Sequence, residues 1–318
     1  MQSAKIVFAD ADSVGAVNFS LLQQQGQLQL VDKLNFYAHS QDYLKDADVI
    51  ISNKVQIEKN LLQQAPNLKL ICVAATGYNN IDLSACQQQQ VAVCNVTNYS
   101  TMAVAQHTFA LLLTWLNKTR QYHTASINGS WSHSKHFCLL DYPIADLAGK
   151  KLGIIGYGNI GQAVANIAKA FGMQVLIADR LDTQPREGRV AFAQVVEQSD
   201  ILSLHCPLTK ENEQFINAHL LQQMKSTAIL INTARGGLID ENALLQALKQ
   251  QQIQAALLDG LTVEPPAANH PLLNANLTNL LITPHVAWAS VDSRQKLVDE
   301  IALNIQAFLK GELRNRLD

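Results

Sequence analysis

The sequence predicts an α/β chain of two parallel-sheet units, the smaller of them assembled from both chain ends. Three observations predict it. The chain has 318 residues, enough for about two domains at roughly 100–200 residues each. Short apolar runs alternate with longer, helically periodic segments, and such alternation implies parallel pairing because parallel strands need a crossover connection. The alternation is interrupted by Asn128–Asp146, a stretch rich in Ser, His and Gly without clear period, and it restarts after Gly149.

In the first hundred residues Lys5–Ala9, Val49–Ser52, Leu70–Val73 and Val91–Asn95 read as strands, each bounded by polar or turn residues. Segments such as Ser13–Gln25 and Ile57–Gln64 between them suit helices. A helix over about Thr101–Gln121 is apolar nearly all round, through Val104, Phe109, Leu111, Leu112, Leu113 and Trp115, which suits a buried element joining two domains. After Gly149, six strands are predicted: Lys151–Ile155, Gln174–Ala178, Ile201–His205, Ala228–Asn232, Ala255–Asp259 and Leu280–Thr283. Six strands with intervening helices predict a doubly wound sheet. Ser290–Leu309 is helically periodic (Leu297, Ile301, Ile305, Phe308) and is expected to cross back onto the first unit, since chain termini often lie together. The domains expected are 1–98 plus 289–318, and 99–288.

Composition narrows the function classes. Hydrophobic residues at 48% and charged residues at 16% exclude a disordered chain. With 24 basic and 26 acidic residues the net charge is −2, which offers no electrostatic footprint for nucleic acid. No apolar run approaches the roughly 18–20 residues of a membrane span; Leu111–Leu113 sits in a short stretch that ends at Asn117. Met1–Asp10 reads directly into a strand, with no cleavable secretory signal. Five cysteines without a CxxC pair argue against a disulfide scaffold and a zinc site. His133 and His136 have helical ligand spacing but no predicted helix and no adjacent carboxylate, so no metal is expected. Together these features predict a cytoplasmic protein.

The strand Lys151–Ile155 runs straight into Gly156-Tyr157-Gly158-Asn159-Ile160-Gly161, and a helix follows. Gly156 suits the tight turn, Gly158 the approach of backbone to a pyrophosphate, and Gly161 close packing of helix on strand. The helix start supplies unpaired N–H groups and positive dipole potential for phosphate oxygens. Asp179 lies 18 residues beyond Gly161, at the end of the next strand. A carboxylate there accepts hydrogen bonds from a ribose 2′-hydroxyl and repels a 2′-phosphate, which favours NAD(H) over NADP(H). The neighbouring Arg180 is a group able to accommodate that phosphate. A Rossmann-like dinucleotide-binding domain follows from this order of strand, glycines, helix, strand and acid.

Three more segments put polar residues at predicted strand ends, where open α/β sheets bind ligands. They are Asn232-Thr233-Ala234-Arg235-Gly236-Gly237, Asp259 to Pro266 with Glu264, and Thr283-Pro284-His285. A guanidinium offers a planar fork to carboxylate and carbonyl oxygens. A histidine can protonate a developing alkoxide while a carboxylate orients it. Singly each residue has a bland reading as surface cation, solvated acid or helix cap. Jointly they suit hydride transfer to a 2-oxo acid.

The segments GYGNIG, INTARGGLID, LDGLTVEPP and TPHVAWAS resemble the D-isomer-specific 2-hydroxyacid dehydrogenase family, most closely its glycerate dehydrogenase/hydroxypyruvate reductase branch. CVAATGYNNID and VTNYSTMAVAQHTFALLL extend the resemblance over almost the whole chain. It implies two Rossmann-like domains, the NAD-binding one doubly wound and the smaller substrate domain flavodoxin-like. It also implies that Arg235 binds the substrate carboxylate and polarises its carbonyl, and that His285 gives or takes the proton with Glu264 as its partner. Ala75, Thr76 and Gly77 would offer backbone N–H groups to the carboxylate. Gly158 to Gly161 would hold the pyrophosphate and Asp179 the ribose; His205, Cys206, Pro207, Thr233, Ala234 and Asp259 would line the nicotinamide half. The family further implies a homodimer and a cleft that closes over the ligands. Departures are Gln106, where a glutamate is common before a histidine (here His107), and Asn212, where a threonine is frequent. Cys206 before Pro207 has the look of a reactive thiol but no base nearby in sequence, so it is expected to pack near the cofactor, and Trp288 reads as a wall of the pocket or of an interface. The expected reaction is NAD(H)-dependent reduction of hydroxypyruvate to D-glycerate, with glyoxylate to glycolate beside it, and the reverse. The alternatives are another small acid such as D-lactate, or a non-catalytic dinucleotide-sensing co-regulator.

Overall fold

The computed structural model describes residues 3–181 and 185–317. Its contacts divide the chain into two units, one of residues up to 100 with those from 288 onward, the other of residues 101–287.

The first unit is a five-stranded parallel sheet of β1 (Lys5–Phe8), β2 (Gln27–Leu30), β3 (Val49–Ser52), β4 (Leu70–Val73) and β5 (Ala92–Cys94) in the order β2-β1-β3-β4-β5. That is the flavodoxin-like order. Strands β3 and β4 read as unbroken apolar runs because both their faces are covered. Val7, Ile50, Ile71 and Val93 face one side with Phe36, Leu44 and Leu62. Ile6, Phe8, Val49, Ile51, Leu70 and Cys72 face the other, against Leu297, Ile301 and Ile305 of the C-terminal helix Val291–Leu309. The smaller unit is therefore built from both chain ends, as the fold class required.

Three elements differ from expectation. Strand β2 was not anticipated: its alternating Gln-Leu-Gln-Leu lies at the sheet edge, mostly exposed, and lacks the apolar run that marks its neighbours. The helix expected over Ser13–Gln25 is instead a 3-10 turn Ala11–Val14 and a short helix Ser20–Gln23. Between them the chain opens at Gly15, and Arg294 Nη1 donates to the carbonyls of Val14 (2.7 Å) and Ala16 (3.2 Å). The helix expected over Ile57–Gln64 is confined to Lys59–Leu62, because Ile57 is drawn into a parallel bridge with Ile81.

The second unit holds all six strands expected of it: β6 (Lys151–Ile155), β7 (Gln174–Ile177), β8 (Ile201–Leu204), β9 (Ile229–Asn232), β10 (Ala255–Asp259) and β11 (Leu280–Thr283). They are parallel, in the order β11-β10-β9-β8-β6-β7, and Val190 adds a bridge to Ala178 beyond β7. The chain leaves β6 toward β7 on one side and returns to β8 on the other, so the switch point where such sheets bind ligands lies at the C-terminal ends of β6 and β8. The long apolar helix is two: Thr101–Asn117 and Thr119–Ile127, separated by Lys118 in the left-handed region (φ 52°). Its buried Leu112 and Leu116 pack with Val164, Ala165 and Ala168 of the helix Asn159–Ala170. Among the described residues no helix is long and apolar enough to cross a membrane.

Candidate active site

The switch point carries the glycine loop. Gly156 sits at φ 93°, and a Cβ on it would lie 2.4 Å from the Cys206 amide nitrogen, so the β6 and β8 loops touch only because this residue is glycine. A Cβ on Gly161 would lie 2.2 Å from the Gly156 carbonyl oxygen, which is how closely the helix packs on its strand. Gly158 caps the helix Asn159–Ala170 without a side-chain hydrogen bond, and a Cβ there would meet nothing within 4 Å. The result is an open cradle at a helix N-terminus, the environment a diphosphate requires. Tyr157 lies under Arg189, whose guanidinium carbon is 4.7 Å from the ring centre, and Ile160 packs into the core beneath.

The strand end beside it carries His205, whose Nε2 is 2.9 Å from Ser203 Oγ. Burial lowers the imidazole to about 4, so it is neutral at physiological pH, and its buried Nδ1 has no protein partner. Burial also pushes the Cys206 thiol up to about 11, so the thiolate needed for nucleophilic work is absent near neutrality. Asn212 ties this loop down, donating to the Pro207 carbonyl (2.8 Å) and accepting from Thr209 N (2.7 Å), so the substitution noted in sequence has a structural use. Thr233 Oγ1 lies 3.1 Å from Thr108 Oγ1, and Ala234 N donates to Asn232 Oδ1 (3.0 Å).

At the end of β7, Asp179 accepts from the backbone nitrogens of Arg180 and Arg186 (2.8 Å each) and from Arg186 Nη2 (2.6 Å) and Nε (3.0 Å). Arg186 beside it holds the carboxyl far below the usual carboxylate range.

Strands β9, β10 and β11 are neighbours, and the residues singled out for chemistry follow their C-terminal ends. His285, in the left-handed region at φ 54°, places Nδ1 2.6 Å from Glu264 Oε2. The other oxygen of Glu264 accepts from Leu261 N (3.0 Å), which fixes the carboxylate to its own loop. Asp259 is buried and organises the turn: it accepts from Thr283 Oγ1 (2.7 Å), Val286 N (2.9 Å) and Ala287 N (2.8 Å) on both sides of His285. His107 reaches the same cluster, with Nε2 3.0 Å from Thr283 Oγ1. The loop of Arg235 abuts the Glu264 loop so tightly that a Cβ on Gly236 would lie 2.0 Å from the Leu261 carbonyl carbon. Arg235 is exposed, and its Nη1 donates to Ala234 O (2.8 Å).

Glu264 and His285 are thus in contact, and the Arg235 loop packs on the same segment. Ala75, Thr76 and Gly77 follow β4 in the first unit, where Thr76 Oγ1 donates to Val96 O (2.9 Å) and Asn95 Nδ2 to Thr76 O (2.7 Å). Sequence reasoning missed Glu241, which accepts from Thr262 N (2.7 Å) and lies 3.1 Å from His270 Nε2, so it holds the loop of Glu264 from behind. It also missed Arg186. The Glu241 contacts join segments that only the fold brings together, and Arg186, seven residues beyond Asp179, belongs to no motif.

Residues 109–287 match the family model for the D-isomer specific 2-hydroxyacid dehydrogenase NAD binding domain. The chain is 40% identical to a glycerate dehydrogenase of Methylorubrum extorquens over 98% of each chain. It is 38% identical to a hydroxypyruvate reductase of Blautia hydrogenotrophica, over 84% of this chain and 83% of that one. Among solved structures, an acyclic imino acid reductase in complex with NADPH and D-Arg superposes with a TM-score of 0.85 at 31% identity, covering 98% of this chain and 99% of that one.

Proposed function

Because the chain belongs to the D-isomer-specific 2-hydroxyacid dehydrogenase family, we propose that it reduces hydroxypyruvate to D-glycerate, and glyoxylate to glycolate, with NADH, and runs the reverse oxidations. The observation that carries the chemistry is the 2.6 Å contact between His285 Nδ1 and Glu264 on a sheet whose first loop is a diphosphate cradle.

The cradle of Gly156, Tyr157, Gly158, Asn159, Ile160 and Gly161 holds the pyrophosphate, and Asp179 and Arg180 lie at the adenosine end. His205, Cys206, Pro207, Thr233, Ala234 and Asp259 line the nicotinamide half; the neutral His205 and the protonated Cys206 place no charge there. When bound, the nicotinamide supplies a hydride to the keto carbon. Arg235 binds the substrate carboxylate and draws electron density toward the carbonyl oxygen. His285 gives that oxygen its proton from Nε2, since Nδ1 is committed to Glu264, and in oxidation it takes the proton back. Ala75, Thr76 and Gly77 offer backbone N–H groups to the carboxylate.

An initial-rate panel of hydroxypyruvate, glyoxylate, pyruvate and 3-phosphohydroxypyruvate tests the substrate. Hydroxypyruvate is expected to give the highest kcat/KM, followed by glyoxylate. A preference for pyruvate would move the chain to D-lactate chemistry, and NADH binding without turnover of any acid would favour a dinucleotide-sensing co-regulator.

We also infer a homodimer working in the cytoplasm. Support for the dimer comes from Ile127, Trp131, Phe137, Leu140 and Ile144, which expose their side chains along one segment of the second unit. Such a stretch is the usual mark of a covered surface. Light scattering is expected to give twice the protomer mass of 34.9 kDa; a species of single mass at micromolar concentration overturns the inference.

A further inference from the structure

We propose that Glu241 is a positioning residue for the reaction: it grips the loop of Glu264 at two points, and the rate of the chemical step depends on that grip through Glu264. The inference rests on the reading of Arg235, Glu264 and His285 as the reacting set.

The loop that carries Glu264 has little of its own to hold it. It leaves β10 after Asp259, passes the buried Leu261, and meets its next buried residue only at Leu272. Thr262, Val263, Glu264 and Pro265 are exposed between them. Pro265 and Pro266 have no N–H with which to anchor the chain. The bond from Leu261 N to Glu264 Oε1 closes the loop on itself, so it fixes the carboxylate within the loop and not the loop beyond Leu261.

Glu241 supplies the missing hold. It opens the helix Glu241–Lys249, six residues after Arg235. An acid there ordinarily serves the helix N-terminus. In this helix Asp240 already does that work, accepting from Asn242 N and Ala243 N at 3.0 Å each. The Glu241 carboxylate turns instead to the connection between β10 and β11. Oε1 accepts from Thr262 N at 2.7 Å, two residues before Glu264, and Oε2 lies 3.1 Å from His270 Nε2, six residues after it. A carboxylate only accepts, so His270 carries its proton on Nε2 and donates it to this contact. Both side chains are largely buried, Glu241 18% exposed and His270 14%. One carboxylate therefore holds the loop where it departs and where it returns, and does so from the segment that carries Arg235. The 2.6 Å contact of Glu264 with His285 is a consequence of where that loop lies. Displacement of a reacting group by an ångström costs about a hundredfold in rate.

A double-mutant cycle with Glu264→Ala tests this, read as the single-turnover rate of NADH oxidation with whichever 2-oxo acid the holoenzyme turns over fastest. Glu241→Ala is expected to slow that rate by about 10- to 100-fold, with KM and NADH affinity within about threefold of wild type. In the Glu264→Ala background the same substitution is expected to cost less than about threefold, because the group it positions is already gone. Glu241→Gln is expected to recover most of the rate: its amide oxygen still accepts from Thr262 N, and its NH2 donates to the other tautomer of His270. Glu241→Asp, too short to reach both partners, is expected to lose about three- to tenfold in wild type and nothing further in Glu264→Ala; it carries the cycle if the alanine variant does not fold. Equal losses in the two backgrounds overturn the proposal, since a residue that only stabilises the fold costs the same in both. A folded Glu241→Ala protein with an unchanged rate overturns it as well. If Glu264→Ala and His285→Gln themselves leave the rate unchanged, the reading of the reacting set is what fails, and the proposal falls with it.

Discussion

Replacing Arg235 by alanine is expected to lower kcat/KM for hydroxypyruvate by about a thousandfold while leaving NADH affinity within a few-fold of wild type. The size follows from the work assigned to the guanidinium. Loss of one pre-positioned donor to a developing oxyanion costs roughly 10²–10³ in rate, and loss of a charged contact to the substrate carboxylate adds to KM. Both effects fall on the substrate. The cofactor cradle depends on Gly156, Gly158 and Gly161 after β6, with β8 lying between it and β9, and Arg235 makes its side-chain hydrogen bond to the adjacent Ala234 carbonyl. Folding is not expected to suffer, because the side chain is exposed and the tight packing of its loop belongs to Gly236. Steady-state kinetics with an NADH fluorescence titration check both halves. An unchanged kcat/KM removes Arg235 from the mechanism; a collapse of NADH binding reassigns it to the cofactor.

What could be read from the sequence, and what could not, divides along a physical line. Strands buried on both faces announce themselves as apolar runs, so β3, β4, β8, β9 and β10 are legible, and the half-buried β7 and β11 keep enough apolar residues to be read as well. The edge strand β2, with two glutamines in four residues, is not. The break at Lys118, half-buried with its ammonium over the Trp115 ring, leaves no mark in hydrophobic pattern, so two helices look like one. Chemistry shows the same division. Gly156, Gly158 and Gly161 are legible because their work is local, within one strand, turn and helix. The Glu264–His285 contact spans 21 residues and two strand ends, and residue type alone suggests it. Asp179 stands at the end of β7 where its spacing put it, while its contacts with Arg186 were not foreseen. Spacing locates an acid but says nothing of what covers it.

The strongest constraint on mechanism comes from running the reaction both ways. If His285 is the proton carrier, reduction needs the imidazolium and oxidation needs the neutral ring. kcat/KM for hydroxypyruvate reduction is therefore expected to fall as pH rises, and kcat/KM for D-glycerate oxidation to fall as pH drops. His285→Gln, which keeps a polar side chain but no titrating proton, is expected to lower both directions by about 10²–10⁴ and to flatten both limbs. Glu264→Gln gives an intermediate loss, because the amide oxygen still accepts from Nδ1 at the position now 2.6 Å away while the charge that favours imidazolium is gone. The sign of that change is diagnostic: removing the negative charge penalises the protonated ring, so reduction suffers more than oxidation at the same pH. Parallel pH profiles in the two directions, or equal losses in both for Glu264→Gln, would place the proton on another group. The nearest alternative is His107, whose Nε2 reaches Thr283 Oγ1 at 3.0 Å.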